Sequence, residues 1–322
     1  MSGATKNLAF DQSELPRKAT ENMVPSFKIR GVIVPLLTPM TQDGQEIDTQ
    51  ALRDHVAWLA AKGVHGLMPC GTTGEGPLLA QAEREIITEE VVDAARGRVP
   101  IIAHVGAITT REAVELAEHA VAVGAAAISA ITPYYFALSD AALIEHFCRV
   151  AAAAADVPMF LYNLPARAGN HVTRACAEAV IARCSNVIGI KDSSGDLATL
   201  SSFMGLDDGR FQVACGSDAL LPRGLQAGAV AGVSGNANVF PEVLVGLFEA
   251  FWRGDLAAAT RYQETLDLIR ATLQDGRHLA LYKFILERRG LRGGDVRLPL
   301  PAASAAEVTE AAAKLRSAGL LA

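Results

Sequence analysis

What the chain lacks already closes off several functions. Its 322 residues hold five cysteines, at 70, 148, 176, 184 and 215, odd in number and without a Cys-x-x-Cys pair. That excludes a zinc ribbon or a disulfide scaffold and fits a reduced cytoplasmic protein with buried thiols. Seven histidines form no His-Glu-x-x-His pattern, so no metal is expected. Charged residues are only 20% of the chain, and Lys plus Arg (29) fall short of Asp plus Glu (35), leaving a net charge of −6. A nucleic-acid or polybasic membrane partner does not fit that balance. The first 30 residues mix charges with polar side chains and contain no apolar run long enough for a signal peptide. The charge-free stretch between His119 and Asp140 is broken by Gly124 and Pro133, so no segment reads as a membrane span.

What is present is a regular alternation. Short apolar, β-branched runs at 31–37, 64–68, 100–103, 126–130, 157–161, 187–190, 211–214 and 229–233 are strand candidates. Between them lie helical windows at 48–62, 80–96, 109–123, 138–155, 173–183, 196–206, 217–227 and 240–253. Asp48 suits the first helix as an N-cap, and Gly63 and Gly124 follow helices where a left-handed cap is expected. Strands too apolar for one exposed face imply a parallel sheet covered on its outside, and eight strand-helix repeats close into a (β/α)8 TIM barrel. An open doubly wound sheet is the weaker alternative. The expected organisation is an N-terminal arm over 1–30, a barrel over 31–254 and a C-terminal helical region over 255–322, with windows at 256–274, 277–289 and 305–318.

In such a barrel the chemistry sits where strands end and loops begin. Those positions hold Gly71-Thr72-Thr73-Gly74-Glu75-Gly76, Thr132-Pro133-Tyr134-Tyr135, Tyr162-Asn163-Leu164-Pro165-Ala166-Arg167, Lys191-Asp192, Gly216-Ser217-Asp218 and Ser234-Gly235-Asn236. The glycine-rich run lacks the Gly-Lys-Ser/Thr ending of a nucleotide loop and suits a small anion better. Lys191 is the sharpest signal, because it alone among the lysines follows a buried strand. Desolvation favours the neutral amine, the nucleophile that condenses with a ketone to form a Schiff base. A structural ion pair of Lys191 with Asp192 or Glu75 is the competing explanation. Thr73, Tyr135 and Tyr162 bring to the same mouth the hydroxyls that imine and aldol chemistry need for proton transfer. Arg167 offers a planar fork for a carboxylate. Each histidine, His104 at a strand end included, reads as a structural residue.

Together these residues resemble the dihydrodipicolinate synthase and N-acetylneuraminate lyase family of pyruvate-dependent class I aldolases. The resemblance runs from about residue 31 to about residue 300. It rests on Gly71-Thr72-Thr73-Gly74-Glu75, Thr132-Pro133-Tyr134-Tyr135, the run from Leu161 to Gly169 and Gly189-Ile190-Lys191-Asp192, in the family's order. The resemblance implies Lys191 as the Schiff-base lysine and Tyr162 as the general acid/base. Thr73 would pass protons between Tyr162 and Tyr135, the latter reaching in from a neighbouring subunit. Thr72 and Thr73 would hold the pyruvyl carboxylate, and Val233 would line the pyruvate pocket. A homotetramer built as a dimer of dimers is implied, with no cofactor.

For the second substrate the resemblance leaves two readings. Arg167 stands where the synthases hold the carboxylate of aspartate semialdehyde, which favours synthesis of 4-hydroxy-tetrahydrodipicolinate. Gly76-Pro77-Leu78-Leu79, Lys191-Asp192-Ser193-Ser194-Gly195-Asp196 and Cys215-Gly216-Ser217-Asp218 look more like the aldolases that release pyruvate from 2-keto-3-deoxy sugar acids or 4-hydroxy-2-oxo acids. Phe136 also replaces the synthases' usual Asn. Gly216, Ser217, Asn236 and Arg167 would meet the second substrate in either case. Lysine-regulated members usually carry Ser-Ala after the Gly-Thr-Thr-Gly-Glu run and histidines along the next helix, whereas this chain has Gly76-Pro77, Gln81 and Arg84, so no strong lysine inhibition is expected. From a different class, a keto-acid sensor without turnover would keep the pocket but has no need of the hydroxyl relay.

Overall fold

The computed structural model describes residues 27–41 and 43–322; most of the expected arm, residues 1–26, lies outside the described residues. Eight strands alternate with helices: β1 (Gly31–Pro35), β2 (Gly66–Met68), β3 (Ile102–His104), β4 (Ala127–Ile131), β5 (Met159–Asn163), β6 (Val187–Asp192), β7 (Gln212–Cys215) and β8 (Ala231–Val233). All pair in parallel, in the order β2-β1-β8-β7-β6-β5-β4-β3. The ring closes through a parallel bridge between Leu67 and Ile101 and the flanking bonds from Leu67 N to Pro100 O (3.0 Å) and from His104 N to Pro69 O (3.3 Å). The result is the expected (β/α)8 barrel.

Helices α1 (Thr49–Ala61), α2 (Gln81–Ala95), α3 (Thr110–Ala122) and α4 (Asp140–Ala153) follow the first four strands, and a one-turn α5 (Pro165–Ala168) precedes α6 (Arg174–Arg183) after the fifth. Then come α7 (Leu197–Ser202), α8 (Leu221–Ala227) and α9 (Pro241–Trp252). The windows at 196–206 and 217–227 are thus only partly helical, because Gly205 turns left-handed at φ 76° and Ser217 is extended. Beyond the barrel lie α10 (Leu256–Thr272), α11 (Leu279–Arg288) and α12 (Ala305–Ser317), as the sequence predicts. Asp48 caps α1 by accepting from Ala51 N, and Gly63 and Gly124 adopt φ of 79° and 86° just past α1 and α3. No helix among the described residues is long and apolar enough to cross a membrane.

Alternation along the strands sorts the apolar residues into two cores. Ile33, Met68, Ile102, Phe160 and Val233 point into the barrel, while Val32, Val34, Leu67 and Leu161 point out beneath Leu52, Val56 and Phe248 of the helices. Each such side chain contributes about 1.5–3 kcal/mol on burial. Gly189 on β6 makes room for the largest interior ring: a Cβ there would stand 2.6 Å from Phe160 Cε1. Phe27 and Ile29, at the end of the expected arm, belong to the barrel instead. Phe27 packs edge-on against Phe160, and Gln212 accepts from Ile29 N and donates to Phe27 O, closing the floor.

Candidate active site

With the floor sealed by side chains, the open end is the one where strands finish. Tyr162 on β5 and Lys191 on β6 are register partners, and Lys191 pairs on its other side with Ala214 of β7. Both therefore lie inside strands rather than after them, one layer above Phe160. Tyr162 and Lys191 are buried, and Lys191 Nζ lies over the Tyr162 ring, 3.9 Å from its centroid. Thr72 Oγ1 is 3.4 Å from the Tyr162 hydroxyl. Burial pushes that phenol up, but the Lys191 ammonium, with hydrogen bonds from Thr72, Lys191 and Ser193, outweighs it and holds the phenol below its ordinary value.

The loop after β2 presents its threonines through forced geometry. Cys70 and Glu75, at its ends, take left-handed φ of 59° and 61°, and a Cβ on Gly76 would fall 2.0 Å from Cys70 O. Only glycine fits there. Glu75 points away from Lys191 and pairs with Lys283 of α11 at 2.6 Å, which removes it as an ion-pair partner for Lys191. Asp192 also faces away, accepting from Asn163 Nδ2 and Ser194 Oγ, both at 2.7 Å; burial pushes its carboxyl up against those bonds.

A cavity of about 320 Å³ gathers Thr72, Thr73, Tyr162, Arg167, Lys191, Gly216, Ser217, Val233 and Asn236, nine of the ten residues singled out from sequence. Tyr135 is the exception. It lies outside the cavity, 85% exposed, on a loop where it adopts φ 81°. The expected Thr73 link to Tyr162 also differs: among the described residues Thr72 makes the hydroxyl contact, and Thr73 packs beside Gly235.

The far wall of the cavity has residues that sequence reasoning missed, because they come from the C-terminal region. Arg270 on α10 bonds to Asp267 and Asp275, and Tyr282 on α11 donates to Asn236 Oδ1 at 2.8 Å. Asn236 Nδ2 and Ser234 Oγ in turn donate to Asp218 Oδ2, at 2.7 and 2.6 Å. Burial pushes the Asp218 carboxyl up despite both bonds. Next to this space, and sharing Thr72, Arg167 and Gly276 with it, a second cavity of about 290 Å³ runs past His104, Ile131, Tyr134 and Leu279.

A buried amine, a phenol tuned by it and a hydroxyl within reach of that phenol are equipped for imine chemistry. The chain is also similar to known proteins. Residues 28–318 match the model of the dihydrodipicolinate synthetase family. The chain is 40% identical to an uncharacterized DapA-like lyase of Halobacterium salinarum over 84% of its own length and 88% of that protein. It is 38% identical to a 4-hydroxy-tetrahydrodipicolinate synthase of Methanopyrus kandleri, with 85% and 91% covered. Among solved structures it resembles YagE, a prophage protein of Escherichia coli solved in complex with pyruvate, at 33% identity and a TM-score of 0.86, covering 90% of this chain and 99% of that one. The chain belongs to the dihydrodipicolinate synthetase family and is a carbon-carbon or hydro-lyase of the class I pyruvate aldolase type.

Proposed function

We propose that the chain condenses pyruvate with an aldehyde through a Schiff base on Lys191. Lys191 itself carries this reading: 5% exposed, with no carboxylate salt-bridge partner among the described residues and its ammonium against the Tyr162 ring. An unpaired lysine is costly to bury, so its presence at a barrel mouth points to use rather than stability.

Lys191 Nζ, as the neutral amine, adds to the keto carbon of pyruvate, a proton passes from nitrogen to the former keto oxygen, and the carbinolamine loses water as Tyr162 protonates the departing hydroxyl. Tyr162 then takes a proton from the methyl carbon to give the enamine. That carbon attacks the aldehyde carbon, forming the new carbon-carbon bond, and the aldehyde oxygen takes from Tyr162 the proton it had accepted from the methyl carbon. Water then adds to the resulting iminium, giving a proton back to Tyr162, and the carbinolamine collapses to free the keto product and the Lys191 amine. Thr72 and Thr73 hold the pyruvyl carboxylate, and Val233 closes the pocket behind it. Tyr135 is exposed on its own barrel, which suits a role in a second copy's site within a homotetramer of two tight dimers.

For the aldehyde, the first reading is aspartate semialdehyde, giving 4-hydroxy-tetrahydrodipicolinate. Arg167 at the cavity wall supports it, as does the name of the Methanopyrus relative. The second reading is an aldolase that releases pyruvate from a 2-keto-3-deoxy sugar acid or a 4-hydroxy-2-oxo acid. Asp218 on the far wall favours it, since a carboxylate beside Ser217 and Asn236 suits hydroxyl groups better than an acid.

Borohydride trapping with pyruvate, followed by mass spectrometry of the Lys191 peptide, tests the Schiff base. A reduced pyruvyl adduct on Lys191 is expected. No adduct on folded protein would overturn the mechanism. Relative rates with aspartate semialdehyde and with sugar acids then separate the two readings.

A further inference from the structure

His104 is a buried polar side chain that the condensation steps leave unused. It ends β3 and is 7% exposed, and its ring meets Tyr162 edge to face, with centroids 5.7 Å apart and planes at 78°. Tyr162 is therefore in contact with the Lys191 ammonium, 3.9 Å from its ring centroid, and with an imidazole as well. His104 itself is held from behind. Its backbone carbonyl accepts from Arg84 Nη2 at 2.8 Å, Arg84 being a buried residue of α2. A Cβ on Gly106 would meet His104 Cε1 at 3.0 Å, so glycine there leaves the ring its place beside the loop after β3.

His104 Nδ1, Arg84 Nε and Ser129 Oγ are all buried without a hydrogen-bond partner in the chain. One ring nitrogen in each of His55, His146 and His278 is unpartnered in the same way, so what sets His104 apart is its ring contact with Tyr162. Its ring also borders the second cavity, which shares Thr72 and Arg167 with the Lys191 site.

We propose that His104 is a positioning residue for Tyr162: its imidazole fixes the plane of the phenol that moves protons at the Lys191 imine. Edge-to-face contact is a preferred aromatic geometry and resists rotation of the partner ring. Desolvation, then the charges of Arg84 and Lys191, hold the imidazole well below its ordinary pKa, so it adds no second cation beside Lys191. The charged groups that share the cavity with Tyr162 and Lys191 are Arg167 of α5, Asp218, Arg270 of α10 and Asp275, while Arg84 of α2 lies behind His104 with Glu112 of α3 at 3.7 Å from it.

The role depends on Tyr162 acting in the proposed reaction, so the first readout is independent of turnover. Ultraviolet titration of tyrosinate, with Tyr162→Phe to assign the signal, gives the Tyr162 midpoint. His104→Asn removes the ring and should raise that midpoint by about one unit as the phenol drifts from Lys191. His104→Phe keeps an aromatic edge and should leave it in place. With pyruvate and the active aldehyde, His104→Asn should lower kcat roughly 10- to 100-fold, the range for a slightly misplaced group, with KM for pyruvate nearly unchanged. His104→Phe should restore most of that loss.

An unmoved midpoint in His104→Asn overturns the proposal, and so does an equal shift in both variants, which would assign the effect to the ring nitrogens. If His104→Asn does not fold, His104→Gln takes its place with the same expectations. A failed pyruvate adduct on wild-type protein would refute the Schiff-base reaction, whereas a wild-type adduct with unmoved His104 variants would refute only the role of His104.

Discussion

Lys283 Nζ lies 2.6 Å from Glu75 Oε1, with both side chains sealed from solvent. The pair joins α11 to the loop that presents Thr72 and Thr73. Glu75 Oε2 also accepts from Arg297 N at 2.7 Å, and Lys283 Nζ donates to Asp295 O at 2.6 Å. Burial pushes the Lys283 ammonium down, and its bond to Glu75 works against that shift. Removing one partner strands a buried charge. Lys283→Met is therefore expected to cost about 3–5 kcal/mol in urea unfolding, and pairing it with Glu75→Gln should recover part of the loss. Equal stabilities for wild type and Lys283→Met would contradict this.

Tyr162→Phe keeps the ring under the Lys191 ammonium and removes only the hydroxyl. Adduct formation with pyruvate and overall kcat should slow by roughly 10²- to 10⁴-fold, as for the loss of a positioned acid/base. Circular dichroism should stay unchanged. Turnover at the wild-type rate would remove Tyr162 from the chemistry.

Arg167 lines both cavities at the mouth. Arg167→Ala should weaken use of an aldehyde that carries a carboxylate by roughly 10- to 100-fold, the worth of a charge-assisted hydrogen bond, while pyruvate trapping stays nearly intact. A parallel fall in trapping would show that Arg167 holds pyruvate or the fold.

Stability should depend on pH through buried histidines, among them His55 and His146 as well as His104. His55 bonds through Nε2 to Asn238 O at 3.0 Å, and His146 faces Thr110; burial lowers both, to about 4 in each case. Because the folded values lie below the unfolded value of about 6.5, the unfolded chain takes up protons first as pH falls. Their contribution is complete above pH 6.5 and disappears on the way down to about pH 4. At about 1.4 kcal/mol per unit, each is worth up to about 3 kcal/mol. Urea midpoints at pH 7.5, 5.5 and 4.5 measure the loss, and His55→Gln should flatten it. An equally steep decline in His55→Gln would assign the acid sensitivity to other groups.

The barrel was legible because alternating apolar runs and amphipathic windows are local signals. Strand ends were not, since pairing decides them: Lys191 follows an apolar run in sequence, yet its bonds to Tyr162 and Ala214 neighbours place it within β6. Which of two adjacent threonines meets Tyr162 depends on the left-handed turns at Cys70 and Glu75, and nothing in a Thr-Thr pair announces that. Lys283 looks like any lysine on a helix until Glu75, far away in sequence, is brought against it. Arg270, Asp275 and Tyr282 gave no signal because their place in the site follows from how the C-terminal helices dock. His104 did stand at a strand end, and only its contact with Tyr162 separates it from an ordinary core histidine.

The ring of strands is not equally strong all round. Neighbouring strands elsewhere are tied by ladders, whereas β2 and β3 meet at a single bridge. A transient opening of the barrel would begin at that seam and spread from it, as local unfolding follows the least-bonded element. Thr72 and His104 stand above its two sides, so the elements that steady the phenol border the part of the wall most able to yield. Substrate held by Thr72 and against Tyr162, which His104 steadies, would act as a clasp, and slower amide exchange at Leu67 and His104 in its presence would be the visible trace.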